Sequence, residues 1–381
     1  MGLDDVRGQY DGLKKRFARA VCTDESDVAV GWVSGIVQRA LDEDARRIDR
    51  AQLEDKHGTR DTAALADSVM RRGARRASVA AGSSAAAVTL AEASVLLTAL
   101  VDLPIVAPTV AASIMADVAY ASMLQVHATY ELSVVHGAPL TPDDADDCYI
   151  VLMSALGIEM GEADATEGGK RFAAHHATRV MTKQGRKILA AIVKKAASKQ
   201  IAKRMAQRTV LRVFAPGVSI PISAALSWYS TRSTLKFADR QMRRRAAVVH
   251  PLLALYAHAP ECEPDLVLAA LQAMMAAPLR GDWSQGQKDA LRHTRTVIGS
   301  GSADGSTDAE FAARVAHVAE EIAALPAAAV DAIVDYLVCA AALDDSFSHD
   351  DDYALVLGPI AQKVGGPIDG ARIAASRGAL T

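Results

Sequence analysis

Aromatic residues make up only 4% of the 381-residue chain, although half of it is hydrophobic. That scarcity excludes a core built around large rings. Few stretches alternate β-branched and polar residues, as a half-buried strand does, which leaves little room for a sheet. Ala and Val supply much of the apolar content, and Ala enters a helix at almost no side-chain entropy cost. The chain is therefore predicted to be all-α.

Paired cysteines are lacking too. Cys22, Cys148, Cys262 and Cys339 lie far apart with no CxxC among them, a spacing that excludes a zinc ribbon and a disulfide scaffold and fits a reducing compartment. The N-terminal "MGLDDVRGQYDGLKKRFARAV" has no apolar h-region, and the start lacks Ser or Thr at the sixth position. Neither a signal peptide nor myristoylation is expected, and residence on the cytoplasmic side follows. No GxSxG, HExxH, P-loop or dinucleotide fingerprint occurs, so no familiar catalytic motif declares itself.

A continuous transmembrane run is missing as well. In the apolar region from Ala77 to Val135, Glu92, Asp102 and Asp117 interrupt together with Pro104 and Pro108. The longest uncharged piece between these acids, Leu103–Ala116, has fourteen residues, against about 20 for a spanning helix. Core helices are the expected state, with a hairpin dipping into one leaflet as the alternative. Asp102 and Asp117 are the candidate perturbed carboxylates, expected to pair with basic helices or, in an enzyme, to do the chemistry.

What the chain does have is segregated charge. The formal net charge of −3 hides four blocks. Residues 1–76 are balanced, with 15 basic and 14 acidic side chains. Residues 77–169 hold 12 acids and no Lys or Arg, residues 170–245 hold 19 basic residues against the single acid Asp239, and residues 246–381 hold 8 basic and 18 acidic. The basic block needs an anionic counterpart: acidic segments of the same chain, an anionic lipid surface, or nucleic acid. Nucleic acid fits worst, because no binding module is recognisable and few aromatics are present to stack on bases.

Helical spacing runs through residues 28–56, with Val30, Val33, Val37 and Leu41 on one side, and "GTRDT" ends it. In the basic block, Lys195, Lys199 and Lys203 form one i,i+4 row; Arg204, Arg208 and Arg212 form another about half a turn away. The uncharged segment "VFAPGVSIPISAALSWYST" follows at 213–231. Pro216-Gly217 predicts a turn and Pro221 the first turn of a short apolar helix ending near Trp228-Tyr229. "RSTLKFADRQMRRR" then predicts another basic helix. Burial of Val213, Ile220, Ile222 and Trp228 would make the segment an inner hairpin of the core, and exposure a membrane-facing tip. His127 and His136, nine apart, are poor co-ligands on one helix.

The order of three stretches resembles the EcsC family of bacterial all-α proteins. They are "MRRGARRASVAAGSSAAAVTLAEA", then "LVDLPIVAPTVAASIMADVAYASMLQVHATYELSVVHGAPLTPDD", then "KKAASKQIAKRMAQRTVLRVFAPGVSIPISAALSWYSTRSTLKFADRQMRRR". The likeness covers about Trp32 to Arg245, within an expected domain over 1–245. His136-Gly137 stands where the family carries Tyr-Gly, and Trp228 where it carries a polar residue.

Residues 246–381 are expected to form a second, acidic helical domain. Its "AALDDSFSHDDDYALVLGPIAQKVG" resembles the acidic turn of TerB-like domains, with "YAHAPECEPDLVLAALQAMM" as a degenerate first copy. The resemblance implies a divalent cation such as Ca²⁺ held by Asp344, Ser348, Asp350 and Asp351. An EF-hand starting at Asp344 fails, since His349 and Leu355 stand where Gly and Glu are required. The alternative is that Ser348 caps the next helix and the aspartates meet its positive end.

These readings converge on a membrane-associated protein that binds anionic lipid. The expected contacts are Lys195, Lys199, Lys203, Arg204, Arg208, Arg212, Phe214, Trp228, Arg232, Arg243, Arg244 and Arg245. The acidic tail would regulate it or bind a protein partner. An enzyme acting on lipid or an envelope precursor, and a protein-binding adaptor in a stress or defence system, are the competing expectations.

Overall fold

The computed structural model describes residues 43–98, 120–141, 147, 150–151, 219–260, 262–276, 285–298, 317–318, 320–343 and 370–378. Of these, 88% are helical and none lies in a strand, so the fold class is all-α. The chain divides into two compact units, with one division between Asp239 and Arg240.

The first unit begins, among the described residues, with a helical turn over 43–47, and a break at Ile48-Asp49 separates it from α1, Arg50–His57. The single helix expected over 28–56 is thus interrupted. The reason is local: the Asp49 side chain accepts a 2.7 Å hydrogen bond from the Gln52 amide, and extended backbone at Asp49 starts the helix afresh. Gly58 ends it in the left-handed conformation, at φ 68°, donating its amide to the Glu54 carbonyl. Asp61 then caps α2, Thr62–Thr98, by accepting from the Ala64 amide at 2.7 Å.

α2 has 37 residues, a length of about 56 Å. Its buried side follows two adjacent helical rows: Leu65, Ala66, Val69, Met70, Gly73, Ala74 and Ala77. Burial of Leu65, Val69 and Met70 stabilises by about 1.5–3 kcal/mol each. Residues 120–135 form α3, which is buried on nearly every side, as Tyr120, Leu124, Val126, Tyr130, Leu132 and Val135 show. Arg50 closes this corner of the unit, donating Nη1 to the Val135 carbonyl at 2.9 Å and Nη2 to Thr62 Oγ1 at 3.0 Å. One side chain thereby satisfies an orphan carbonyl at the end of α3 and holds the start of α2.

α4, Ser219–His258, is one continuous helix of 40 residues. The sequence predicts two pieces, an apolar one ending at Trp228-Tyr229 and a basic one after it; helix carries straight through, and Trp228 lies inside it. Nothing from Leu226 to Ala238 breaks a helix, and packing against α2 supports that stretch. Ser227 Oγ donates to the Ala77 carbonyl at 3.1 Å, and a Cβ on Gly73 would come within 2.8 Å of Leu235 Cδ1 and 3.5 Å of Ala128. A Cβ on Gly82 would lie 3.8 Å from the Ala224 Cβ, an ordinary contact. The pairings 82 with 224, 77 with 227 and 73 with 235 make α2 and α4 antiparallel, and Gly73 lets three helices meet.

The second unit takes α4 from Arg240 onward, the turn 136–138, and α5 (Pro264–Ala276), α6 (Gln285–Ile298), α7 (Ala327–Ala342) and α8 (Gly370–Gly378). Its core gathers Leu252, Leu255, Val267, Leu271, Ile333 and Leu337 with the buried Tyr336. Pro251 lies within α4 and supplies no N–H to the Ala247 carbonyl one turn back. α7 is rich in Ala and starts behind Pro326 without a side-chain cap. Its stability comes from ten buried residues rather than from its ends. Among the described residues no helix is long and apolar enough to cross a membrane.

Candidate functional site

The α2/α4 pair of the first unit presents an unusual surface. On α4, Leu226 is 47% exposed, Trp228 38% and Tyr229 71%, and on α2 Val79 is 46% exposed. Among the described residues these are the large hydrophobic side chains left open there, and the antiparallel register puts Val79 level with Leu226–Tyr229. Helical spacing then carries each row from apolar to basic. α4 reads Leu226, Tyr229, Ser233, Lys236 along its open side, and α2 reads Val79, Arg75, Arg71, all exposed. Seven residues separate Tyr229 from Lys236, about 10 Å along the axis. An apolar band therefore lies one to two turns from a basic belt along the helix pair.

The belt is partly neutralised by one acid. Asp67 binds Arg71 at 2.6 Å from its own helix and Arg232 at 2.7 Å from α4. Arg232 also lies over the Trp228 ring, 5.6 Å from its centroid, where cation–π attraction holds the indole in place.

The lipid contacts expected from sequence divide accordingly. Trp228 is 38% exposed, while Val213 and the side chains of Ile220 and Ile222, which together with it separate core hairpin from membrane-facing tip, lie outside those described. Arg232 is present but committed to Asp67 and Trp228. Arg243 and Arg244 are half-buried in the second unit. Arg245 is a correction: it is 3% exposed, and its Nε donates to the Ala138 carbonyl at 3.2 Å, so it faces protein rather than headgroups. Lys195, Lys199, Lys203, Arg204, Arg208, Arg212 and Phe214 lie outside the described residues, as do Asp102 and Asp117 and the cation candidates Asp344, Ser348, Asp350 and Asp351. Sequence reading passed over Val79, Leu226 and Lys236. Their signal was the 3–4 residue spacing to Arg75, Tyr229 and Ser233, legible only once α4 is known to be unbroken.

A second constellation lies inside the first unit. His127 Nδ1 pairs with a carboxylate oxygen of Asp44. One turn along α3, Glu131 accepts from Lys56 Nζ at 2.5 Å, and next to Lys56 in sequence His57 Nδ1 meets Ser68 Oγ at 2.7 Å. Burial pushes the Asp44 carboxyl above its ordinary value, against the lowering pull of His127. Burial likewise lowers His57, helped by Lys56, Arg72 and Arg76 and opposed by Glu131. A carboxylate orienting an imidazole is a familiar acid–base pairing. Here each buried carboxyl meets a nitrogen of another segment, so the cluster braces α1, α2, α3 and the turn at 43–47.

Among the described residues no group of three His, Cys, Asp or Glu side chains is placed to hold a metal ion. No family model, curated protein or solved structure matches the chain.

Proposed function

We propose that this protein binds anionic membrane surfaces peripherally and reversibly, on the cytoplasmic side, through the α2/α4 face of its first unit. The observation that carries the reading is the joint exposure of Val79, Leu226, Trp228 and Tyr229 ahead of Arg71, Arg75 and Lys236. Trp and Tyr favour the headgroup boundary, where a ring finds apolar surroundings and its polar edge stays wet. An interfacial element buries its apolar side about 5–10 Å deep and leaves the cations of the same face at headgroup level. Taking Leu226, Trp228 and Tyr229 out of water contributes about 1–2 kcal/mol each, and each cation near an anionic leaflet adds about 1 kcal/mol. Such a sum gives reversible attachment rather than insertion.

Co-sedimentation with phosphatidylcholine vesicles, with and without 30% phosphatidylserine, tests the reading. Binding is expected to the anionic vesicles at 50 mM salt and to fall at least tenfold at 500 mM, where screening shortens the reach of surface charge to a few ångströms. A Trp228→Ser/Tyr229→Ser variant loses binding to both vesicle types, and Arg75→Glu/Lys236→Glu loses only the anionic preference. Absence of binding at low salt, or an unchanged charge-reversed variant, defeats the proposal. Retention of a soluble protein by the same patch, with vesicles ignored, would favour the adaptor reading instead.

A further inference from the structure

The paired arginines of "RRGARR" set two rows on α2. Arg71 and Arg75 lie on the open side with Val79, whereas Arg72 and Arg76, one position on, are half-buried. Ser68 stands four residues before Arg72 in the same row, and its Oγ lies 2.7 Å from His57 Nδ1 at the end of α1. The inner row thus runs Ser68, Arg72, Arg76, one turn apart, with about 5–6 Å between neighbouring Cβ atoms.

Other arginines drawn into the fold have partners. Arg50 donates to Glu54 and the Val135 carbonyl, Arg232 to Asp67, Arg245 to the Ala138 carbonyl and Arg292 to Asp289. Arg72 and Arg76 make no hydrogen bond and no ion pair among the described residues. Burial, then the charge of Arg76, draws Arg72 below its ordinary value, and Glu131 opposes the shift. Yet Glu131 already accepts from Lys56 Nζ at 2.5 Å.

His57 feels the same imbalance. Burial lowers its imidazole, Lys56, Arg72 and Arg76 act in the same sense, and Glu131 acts against them. The other acid of this corner, Asp44, is paired with His127. Three cations therefore face one acid, which leaves two positive charges.

Two half-buried guanidiniums of like charge on adjacent turns cost stability on their own. An anion with two negative charges removes that cost. Guanidinium forks match the oxygens of a phosphate, to which each can donate two parallel hydrogen bonds. A phosphomonoester carries about −1.5 to −2 at pH 7 and three acceptor oxygens. A phosphodiester or a carboxylate, with a single charge, leaves half of the excess in place.

We propose that Arg72 and Arg76, aided by the field of Lys56, bind a phosphomonoester group. The assignment does not rest on the membrane reading, since a soluble phosphate ester meets the same donors. A phosphatidate headgroup offers the same chemistry from a bilayer.

Calorimetric titration of the full chain with glycerol 3-phosphate, in 50 mM salt at pH 7.5, tests it. One saturable site is expected, weakened at least tenfold by Arg72→Gln and by Arg76→Gln. Neither change removes a protein partner, so without ligand the urea midpoints of both variants are expected at or above that of the parent. Glycerol 3-phosphate should raise the parent's midpoint and leave theirs unmoved. Arg240→Gln removes the same charge from an exposed position on α4 and should bind the ester as the parent does. Co-sedimentation with phosphatidate vesicles, against phosphatidylserine vesicles of equal surface charge, separates the sources. A phosphatidate preference abolished by Arg72→Gln assigns a lipid headgroup, and saturable ester binding without that preference assigns a soluble ligand. Dimethyl phosphate binding as tightly as glycerol 3-phosphate, equal weakening by Arg240→Gln, or a lowered midpoint in the Arg72 and Arg76 variants overturns the proposal. So does the absence of both ester binding and phosphatidate preference, an outcome that leaves the membrane reading standing if phosphatidylserine vesicles are still bound.

Discussion

Gly137 stands at φ 69° just past the end of α3, and its carbonyl lies 3.2 Å from His250 Nε2. A Cβ at this position would come within 2.9 Å of that nitrogen. Two costs therefore combine in Gly137→Ala: left-handed backbone disfavours an L side chain by about 1–2 kcal/mol, and the imidazole must move. The variant is expected to lose about 2 kcal/mol in urea unfolding, and an unchanged midpoint would show that the turn relaxes freely. The "HG" dipeptide marks a turn in sequence, but nothing in it says that a histidine 113 residues later fills the space above the glycine. Caps behave differently. Asp49 and Asp61 act within three residues of themselves, so no distant partner sets their roles.

At the scale of elements, the α2/α4 face depends on an acid that the sequence places among ordinary helix-surface residues. Asp67 holds Arg71 one turn away and Arg232 from the opposite helix. Replacing it with Asn leaves the helix intact and frees one unit of positive charge on the belt. Asp67→Asn is expected to tighten binding to phosphatidylserine vesicles about fivefold, the equivalent of about 1 kcal/mol. Stability should fall by less than about 1 kcal/mol, because exposed pairs contribute little. Weaker vesicle binding by this variant would mean that the pair positions Arg232 over Trp228 more than it masks charge. The break expected near Trp228-Tyr229 shows the limit of local reading. Composition changes sharply from apolar to basic there, and the backbone does not respond, because helix continuity depends on breakers and packing rather than on polarity.

At the scale of the molecule, the imidazole held furthest below its ordinary value lies in the second unit. His293 is buried, and neither ring nitrogen has a hydrogen-bond partner. Burial, reinforced by the Arg245 and Arg292 guanidiniums, holds its imidazole well below the ordinary value. The unfolded chain takes up this proton near pH 6.5 while the folded one does not. Stability is therefore fully present above about pH 6.5 and declines as pH falls below it, by about 1.4 kcal/mol per unit for this group. Urea unfolding at pH 7.5 and pH 5.0 should show the parent losing about 2 kcal/mol more than His293→Leu across that interval. Equal slopes would show that the site admits the proton or water. The loss through His293 belongs to this unit, and that through His57, also lowered by burial, to the first.

The all-α class and the end of α1 follow from the sequence by itself, whereas the fresh start at Asp49 lies hidden inside the helical spacing of 28–56. Alanine-rich helical spacing and capping aspartates act over three or four residues, and no distant partner can change them. The segregation of charge into blocks is likewise a property of the chain. Only the tertiary structure decides which charges are spent on protein and which face outward. Arg245 is buried against a carbonyl 107 residues earlier, Arg232 is claimed by an acid 165 residues earlier, and Lys236 is left on the surface. The same holds for the cations around His57, where Glu131 meets Lys56 from 75 residues further along the chain and only across a helix pair. Residues at such separations come together through the packing of apolar stripes, and a side chain's polar role is set by whatever that packing places opposite it.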